Sequence, residues 1–105
     1  MQTLVYRFPA DRVPVRPVHT GVVASGDLEI LLVPPTTSVA YAEVRVRTSV
    51  DGFDTVWGQV LERFFARVPL AGHWDLNDSG ATPGVVALRL GQAAEAATDT
   101  SEEQP

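Results

Sequence analysis

The chain contains no cysteine. That excludes disulfides, thiolate metal sites and a cysteine nucleophile, so any thiol chemistry must come from an attached group. Lysine is absent as well: all 8 basic residues are arginine, and no side chain can form a Schiff base. The arginines never form a run, and 13 acidic residues outnumber them for a net charge of −5, which argues against a nucleic-acid partner. No apolar stretch is long enough to cross a bilayer, and the first residues form neither a charged n-region nor a long h-region. No membrane partner is therefore expected, and the cytoplasm is the expected compartment. Histidine is scarce, and His19 and His73 are too few for a zinc site.

What is present is ordinary for a soluble globular chain: 105 residues, 45% apolar and 20% charged, enough for one domain with a small core. Gln2 to Phe8 alternates, with Leu4, Tyr6 and Phe8 on one face of a strand. Residues 9–17 carry three prolines and read as an extended linker within the domain. Val18 to Ala24 and Leu28 to Val33 read as an antiparallel pair around a Ser25-Gly26-Asp27 turn. Val39 to Arg47 places Ala42, Val44 and Val46 on one face and Glu43, Arg45 and Arg47 on the other, so one side of the sheet should be wet.

Asp54 suits the N-cap of a helix whose stripe, Phe53, Trp57, Val60, Leu61, Phe64 and Val68, reads as core. His73 to Asn77 reads as a short last strand, followed by an Asp78-Ser79-Gly80 turn. Thr82-Pro83 is an N-cap signal for a second helix with Val86, Leu90, Ala93 and Ala97 on one face. The sum is an α+β fold: a small single domain over 1–97, mainly antiparallel sheet with two helices packed on one face. Residues 98–105 read as an acidic, disordered tail.

Ser25 is the most informative single residue. Gly26 tolerates positive φ, and Asp27 can bond nearby amides and shape the turn, so Ser25 should stand at a hairpin tip with its hydroxyl in water. By spacing alone, Ser-Gly is only a turn. Position 23 is Val where a nucleophile elbow needs Gly, so no hydrolase motif surrounds Ser25. Asp75 and Asp78 read as a strand-end and turn pair rather than an acid–base couple. Gly80-Ala81-Thr82-Pro83-Gly84 reads as a helix cap; it has no Walker lysine to make a phosphate loop.

Four segments then fall into a pattern: Gly21-Val22-Val23-Ala24-Ser25-Gly26-Asp27-Leu28-Glu29; Thr48-Ser49-Val50-Asp51-Gly52; Trp57 with Leu61-Glu62-Arg63; and Asn77-Asp78 with Gly80-Ala81-Thr82-Pro83-Gly84-Val85. In that order, from the first strand to about Ala97, the chain resembles the acyl carrier (delta) subunit family of bacterial malonate decarboxylase. It departs at Ala24, where glycine is common, and at Ser79, where a bulky aromatic is usual. The first change should stiffen the turn. The second should weaken packing at the last turn or alter a docking surface.

The resemblance implies a carrier that is not an enzyme on its own. It implies that Ser25 carries 2'-(5''-phosphoribosyl)-3'-dephospho-CoA through a phosphodiester, and that Gly26 and Asp27 shape the turn met by the installing prosthetic-group transferase. The attached thiol would hold acetyl and malonyl groups in turn. The implied partners are the acyl-carrier transferase (alpha) subunit, the decarboxylase (beta, gamma) subunits and a malonyl transferase, with malonate broken down to acetate and CO₂. Two other readings remain open at this point: the carrier subunit of a citrate lyase-type complex, which Thr82-Pro83-Gly84 disfavours, and a non-covalent assembly subunit. A stand-alone hydrolase using Ser25 is a third and weaker option.

Overall fold

Period-two alternation divides the strands into a dry and a wet face. The computed structural model describes residues 1–38 and 40–100. Its strands are β1 (Gln2–Pro9), β2 (Val18–Thr20), β3 (Leu28–Val33), β4 (Tyr41–Thr48) and β5 (Gly72–Asp78); its helices are α1 (Asp54–Arg67) and α2 (Pro83–Thr98). The strands form one sheet in the order β1-β4-β5-β3-β2. β4 and β5 run parallel, joined by the α1 crossover, and the other three neighbouring pairs are antiparallel. The sheet is thus mostly antiparallel, with both helices on its dry face, as expected.

The dry face is made by every second residue. Leu28, Ile30 and Leu32 of β3, Ala42, Val44 and Val46 of β4, and Trp74 and Leu76 of β5 are buried against Trp57, Leu61, Phe64 and Phe65 of α1 and Val86, Leu90, Ala93 and Ala97 of α2. Each large side chain so buried contributes about 1.5–3 kcal/mol. Trp74 is the centre of the aromatic part: it meets Phe64 and Phe65 edge-on at 5.9 and 5.2 Å, and its indole N–H donates to the Leu70 carbonyl at 3.2 Å. The wet face carries Arg7–Glu43–His73 (3.4 and 3.2 Å), Arg47–Asp75 (3.5 Å) and Asn77–Glu29–His19 (2.9 and 2.9 Å) across the strands. Such exposed pairs add little stability and keep that face in water.

Several boundaries differ from expectation. β4 starts at Tyr41; Val39, expected to open it, lies outside the described residues. Phe53, not Asp54, is the N-cap of α1, because the Phe53 carbonyl accepts the first helical bond, from the Trp57 N–H at 2.9 Å. Asp54 instead occupies the first turn, where its charge suits the positive end of the helix dipole. Phe53 leaves the core stripe with it and is 49% exposed. The proline-rich segment is tied down: Arg12 bridges to the Pro69–Ala71 stretch, and the Val15 N–H donates to the Ala97 carbonyl at 2.8 Å. α2 runs on through Thr98, the first residue assigned to the tail; positions 101–105 lie outside the described residues.

Trp74→Ala should cost about 3–5 kcal/mol, the range for deleting a buried aromatic. Leu31→Ala, on the wet face, should stay within about 0.5 kcal/mol. Urea denaturation of the two variants checks the assignment of the faces.

Candidate functional site

Gly21 breaks the expected approach to Ser25. Its φ is +78°, and a Cβ there would come within 1.9 Å of the Leu28 carbonyl oxygen. β2 therefore stops at Thr20 instead of running to Ala24, and being an edge strand it has no second neighbour to extend it. Ser25 sits in the 21–27 loop rather than on a tight hairpin tip, and residues 22–26 are all exposed.

Within that loop the serine turn is closely defined. The Asp27 N–H donates to the Ala24 carbonyl at 2.9 Å, closing a four-residue turn. Gly26, at its third position, has φ +80°, which a type II turn requires and a Cβ would resist. The turn is bolted to the β5–α2 connection by two backbone bonds: Gly26 N–H to the Ser79 carbonyl at 2.7 Å, and Ser79 N–H to the Asp27 carbonyl at 3.0 Å. The Ser79 side chain takes no part in them, so the anchor does not depend on the residue type there.

The Asp27 carboxylate supplies the remaining hold. Its Oδ1 accepts from the Leu28 N–H at 2.7 Å and from Arg89 Nε at 2.9 Å, and its Oδ2 from Arg89 Nη2 at 2.7 Å. This two-pronged geometry is the strong, planar form of an Arg–carboxylate pair. Both side chains are largely withdrawn from water, at 18% exposure for Asp27 and 25% for Arg89. The Arg89 hydrogen bonds first, and the Leu28 amide second, hold the Asp27 carboxyl below the ordinary value of 3.8. Arg89 also donates to Gln92 Oε1 at 3.1 Å, which lies 3.4 Å from the Thr20 hydroxyl at the start of the loop.

Ser25 itself has no hydrogen-bond partner among the described residues. His19 is not its base: Nε2 lies 2.9 Å from Glu29 Oε2 on the wet face, and the Asn77 amide first, then His19, hold Glu29 below the usual carboxylate range. A hydroxyl without a base or a neighbouring cation is not an activated nucleophile. His73 is occupied by Glu43. Asp75 and Asp78 point to opposite faces of β5, the first toward Arg47 and the second accepting from the buried Thr48 hydroxyl at 2.8 Å and the Ala81 N–H at 2.9 Å. Thr82 caps α2 by accepting from the Val85 N–H at 3.3 Å, as its sequence position predicts. Among the described residues, no group of three or more acidic or histidine side chains could hold a metal ion, and no helix is long and apolar enough to cross a membrane.

Known proteins resemble this chain in sequence and in fold. Residues 15–97 match the family model described as malonate decarboxylase delta subunit (MdcD). The chain belongs to that family. It is 45% identical over 96 residues to the malonate decarboxylase acyl carrier protein of Pseudomonas fluorescens, covering 90% of this chain and 95% of that one. The acyl carrier protein of the same name from Stenotrophomonas maltophilia is 48% identical over 99 residues, covering 90% and 92%. The fold matches a chain in the crystal structure of a Pseudomonas malonate decarboxylase hetero-tetramer in complex with malonate, with a TM-score of 0.84 and 42% identity over 91% of this chain and 98% of that one.

For this delta-family chain, Arg89 is the site residue that sequence reasoning missed. It was hidden because Asp27 and Arg89 are 62 positions apart. The available signal was a lone arginine between Leu88 and Leu90 in an otherwise uncharged stretch of helix. Because the Asp27 value is lowered in the fold, its anchoring is complete above the ordinary 3.8 and is lost as pH falls through the lower, native value. Arg89→Met should move the Asp27 titration upward toward 3.8. It should also speed amide exchange at Gly26 and Leu28 several-fold while the sheet amides stay protected. An NMR titration with hydrogen exchange reads both effects.

Proposed function

We propose that this chain is the acyl carrier subunit of a malonate decarboxylase and does no chemistry alone. The observation that carries the reading is an exposed, unpartnered Ser25 hydroxyl on a turn whose neighbours are all held, in a chain of the delta-subunit family. That combination suits an attachment point better than an active site: free to react with an installing transferase, and stationary once loaded. Ser25 Oγ would carry 2'-(5''-phosphoribosyl)-3'-dephospho-CoA through a phosphodiester. Gly26 leaves open space beside it, since a Cβ at that position would meet nothing within 4 Å. The group would supply the thiol this cysteine-free chain lacks, and with it a thioester whose carbonyl takes up the charge left by departing CO₂.

In this reading the carrier presents acetyl and malonyl thioesters in turn to an acyl-carrier transferase subunit, to decarboxylase subunits and to a malonyl transferase, in the cytoplasm. The hetero-tetramer that contains the structural neighbour supports membership of a multi-subunit assembly. Co-expression with the maturation enzymes should add the mass of the group to the tryptic peptide containing Ser25, and nothing to Ser25→Ala. Malonate turnover by the assembled complex should fall to background with Ser25→Ala. Full turnover by that variant would overturn the reading in favour of a non-covalent assembly subunit.

A further inference from the structure

A second feature shares its wall with the Ser25 turn. Between the N-terminal ends of α1 and α2 lies a cavity of about 220 Å³. Trp57, Val60, Ala81, Pro83 and Val86 line it, and Val50, Phe53 and Val56, all more than a third exposed, rim its mouth. Asp78 and Gly80 also line it, and they flank Ser79, whose backbone holds Gly26 and Asp27. The Ser25 turn is therefore hydrogen-bonded to the segment that forms one wall of the cavity.

The polar floor is closed on itself. The Thr48 hydroxyl donates to Asp78 Oδ2 at 2.8 Å and accepts from the Val50 N–H at 3.0 Å, while Asp78 Oδ1 accepts from the Ala81 N–H at 2.9 Å. No cation lines the cavity. At the first turn of α2, Pro83 has no N–H and Thr82 occupies that of Val85, and Gly84 lies outside the cavity lining. Asp54, outside the lining, offsets the positive N-terminal end of α1. An anion entering would lose its water and face the Asp78 carboxylate on the floor, with no cation among the lining residues.

We propose that this cavity is a resting site for the acetylated, uncharged end of the carrier's own arm, and that it rejects the malonylated end. The inference rests on the attachment proposed above. Size permits it: an apolar cavity of roughly 150 Å³ binds benzene, and the S-acetyl thioethyl end has as many heavy atoms. Burial there would shield the acetyl thioester from water between cycles. Exchange to malonyl adds a carboxylate that the cavity cannot satisfy, so the loaded end would be released toward the partners at the stage when it is needed.

The test uses the full chain, modified by co-expression and verified by intact mass, in three forms: free thiol, acetyl and malonyl. Amide and indole NMR shifts should appear on acetylation at Val50, Trp57, Ala81 and Val86 and be absent in the thiol and malonyl forms. Ala81→Leu, which fills the cavity, and Phe53→Ala, which removes part of its exposed rim, should each abolish those shifts. Each should also speed spontaneous loss of the acetyl group by about tenfold, the effect of removing a burial worth two methylene groups. Acetyl-induced shifts absent from the lining residues would overturn the resting site while the mass increment at Ser25 stands. Equal shifts with malonyl would overturn the selectivity, and absence of the increment would overturn both this inference and the attachment.

Discussion

The pair between Asp27 and Arg89 is the constraint on which the candidate site depends. An attachment point must meet two conflicting demands: its reactive atom has to be in water, and its backbone must not wander. The chain separates them by residue. Every bond that fixes the turn is made by a neighbour of Ser25: the Ala24 carbonyl, the Gly26 amide, and the backbone and carboxylate of Asp27. None is made by Ser25. A charge-assisted, two-pronged contact is the strong form of such a bond, and here it holds an exposed loop to a helix from a single side chain.

That contact in turn depends on the core. Arg89 reaches Asp27 because α2 is seated on β3 and β2 by Val86, Leu90, Ala93 and Ala97. The antiparallel register that pairs Leu28 with Asp78 then brings the residues just beyond each, Asp27 and Ser79, within backbone hydrogen-bonding distance. The parallel pairing of β4 with β5 sets Thr48 opposite Asp78, and this buried pair floors the cavity between the two helix starts. Four successive positions, Asp78 to Ala81, thus serve the β5 end, the serine turn, the cavity wall and the approach to α2.

Periodicity was enough to read the faces of β1 and β4, the buried stripe of α2 and the Thr82 cap, because each is a local pattern that tertiary contacts merely complete. It failed where a single long-range contact decided the outcome. β2 looks like a strand through Ala24 because Val22 and Val23 have strand character, yet Gly21 must turn to avoid the Leu28 carbonyl. Phe53 matches the α1 stripe in spacing but lies one residue before the helix, where its ring is released to the cavity mouth. Asp27 could be tied to its own turn from local chemistry; its partner on α2 could not, since nothing near Ser25 in sequence specifies an arginine so far along the chain. The Asp78–Thr48 pair was equally invisible, being a consequence of strand order.

The residues missing from the chain acquire a meaning once the site is placed. A protein holding a thioester close to its own surface is exposed to acyl transfer onto its own thiols and amines, the most effective nucleophiles among side chains. This chain has neither cysteine nor lysine. Its two histidines lie on the wet face of the sheet, each engaged by a carboxylate, Glu29 for His19 and Glu43 for His73. The residues that line the cavity offer only the Thr48 hydroxyl and the Asp78 carboxylate as polar side-chain groups, and these are bonded to each other. Under the proposed function, the lack of cysteine and lysine that excludes thiol and Schiff-base chemistry by the chain itself would also keep its cargo intact until a partner acts on it.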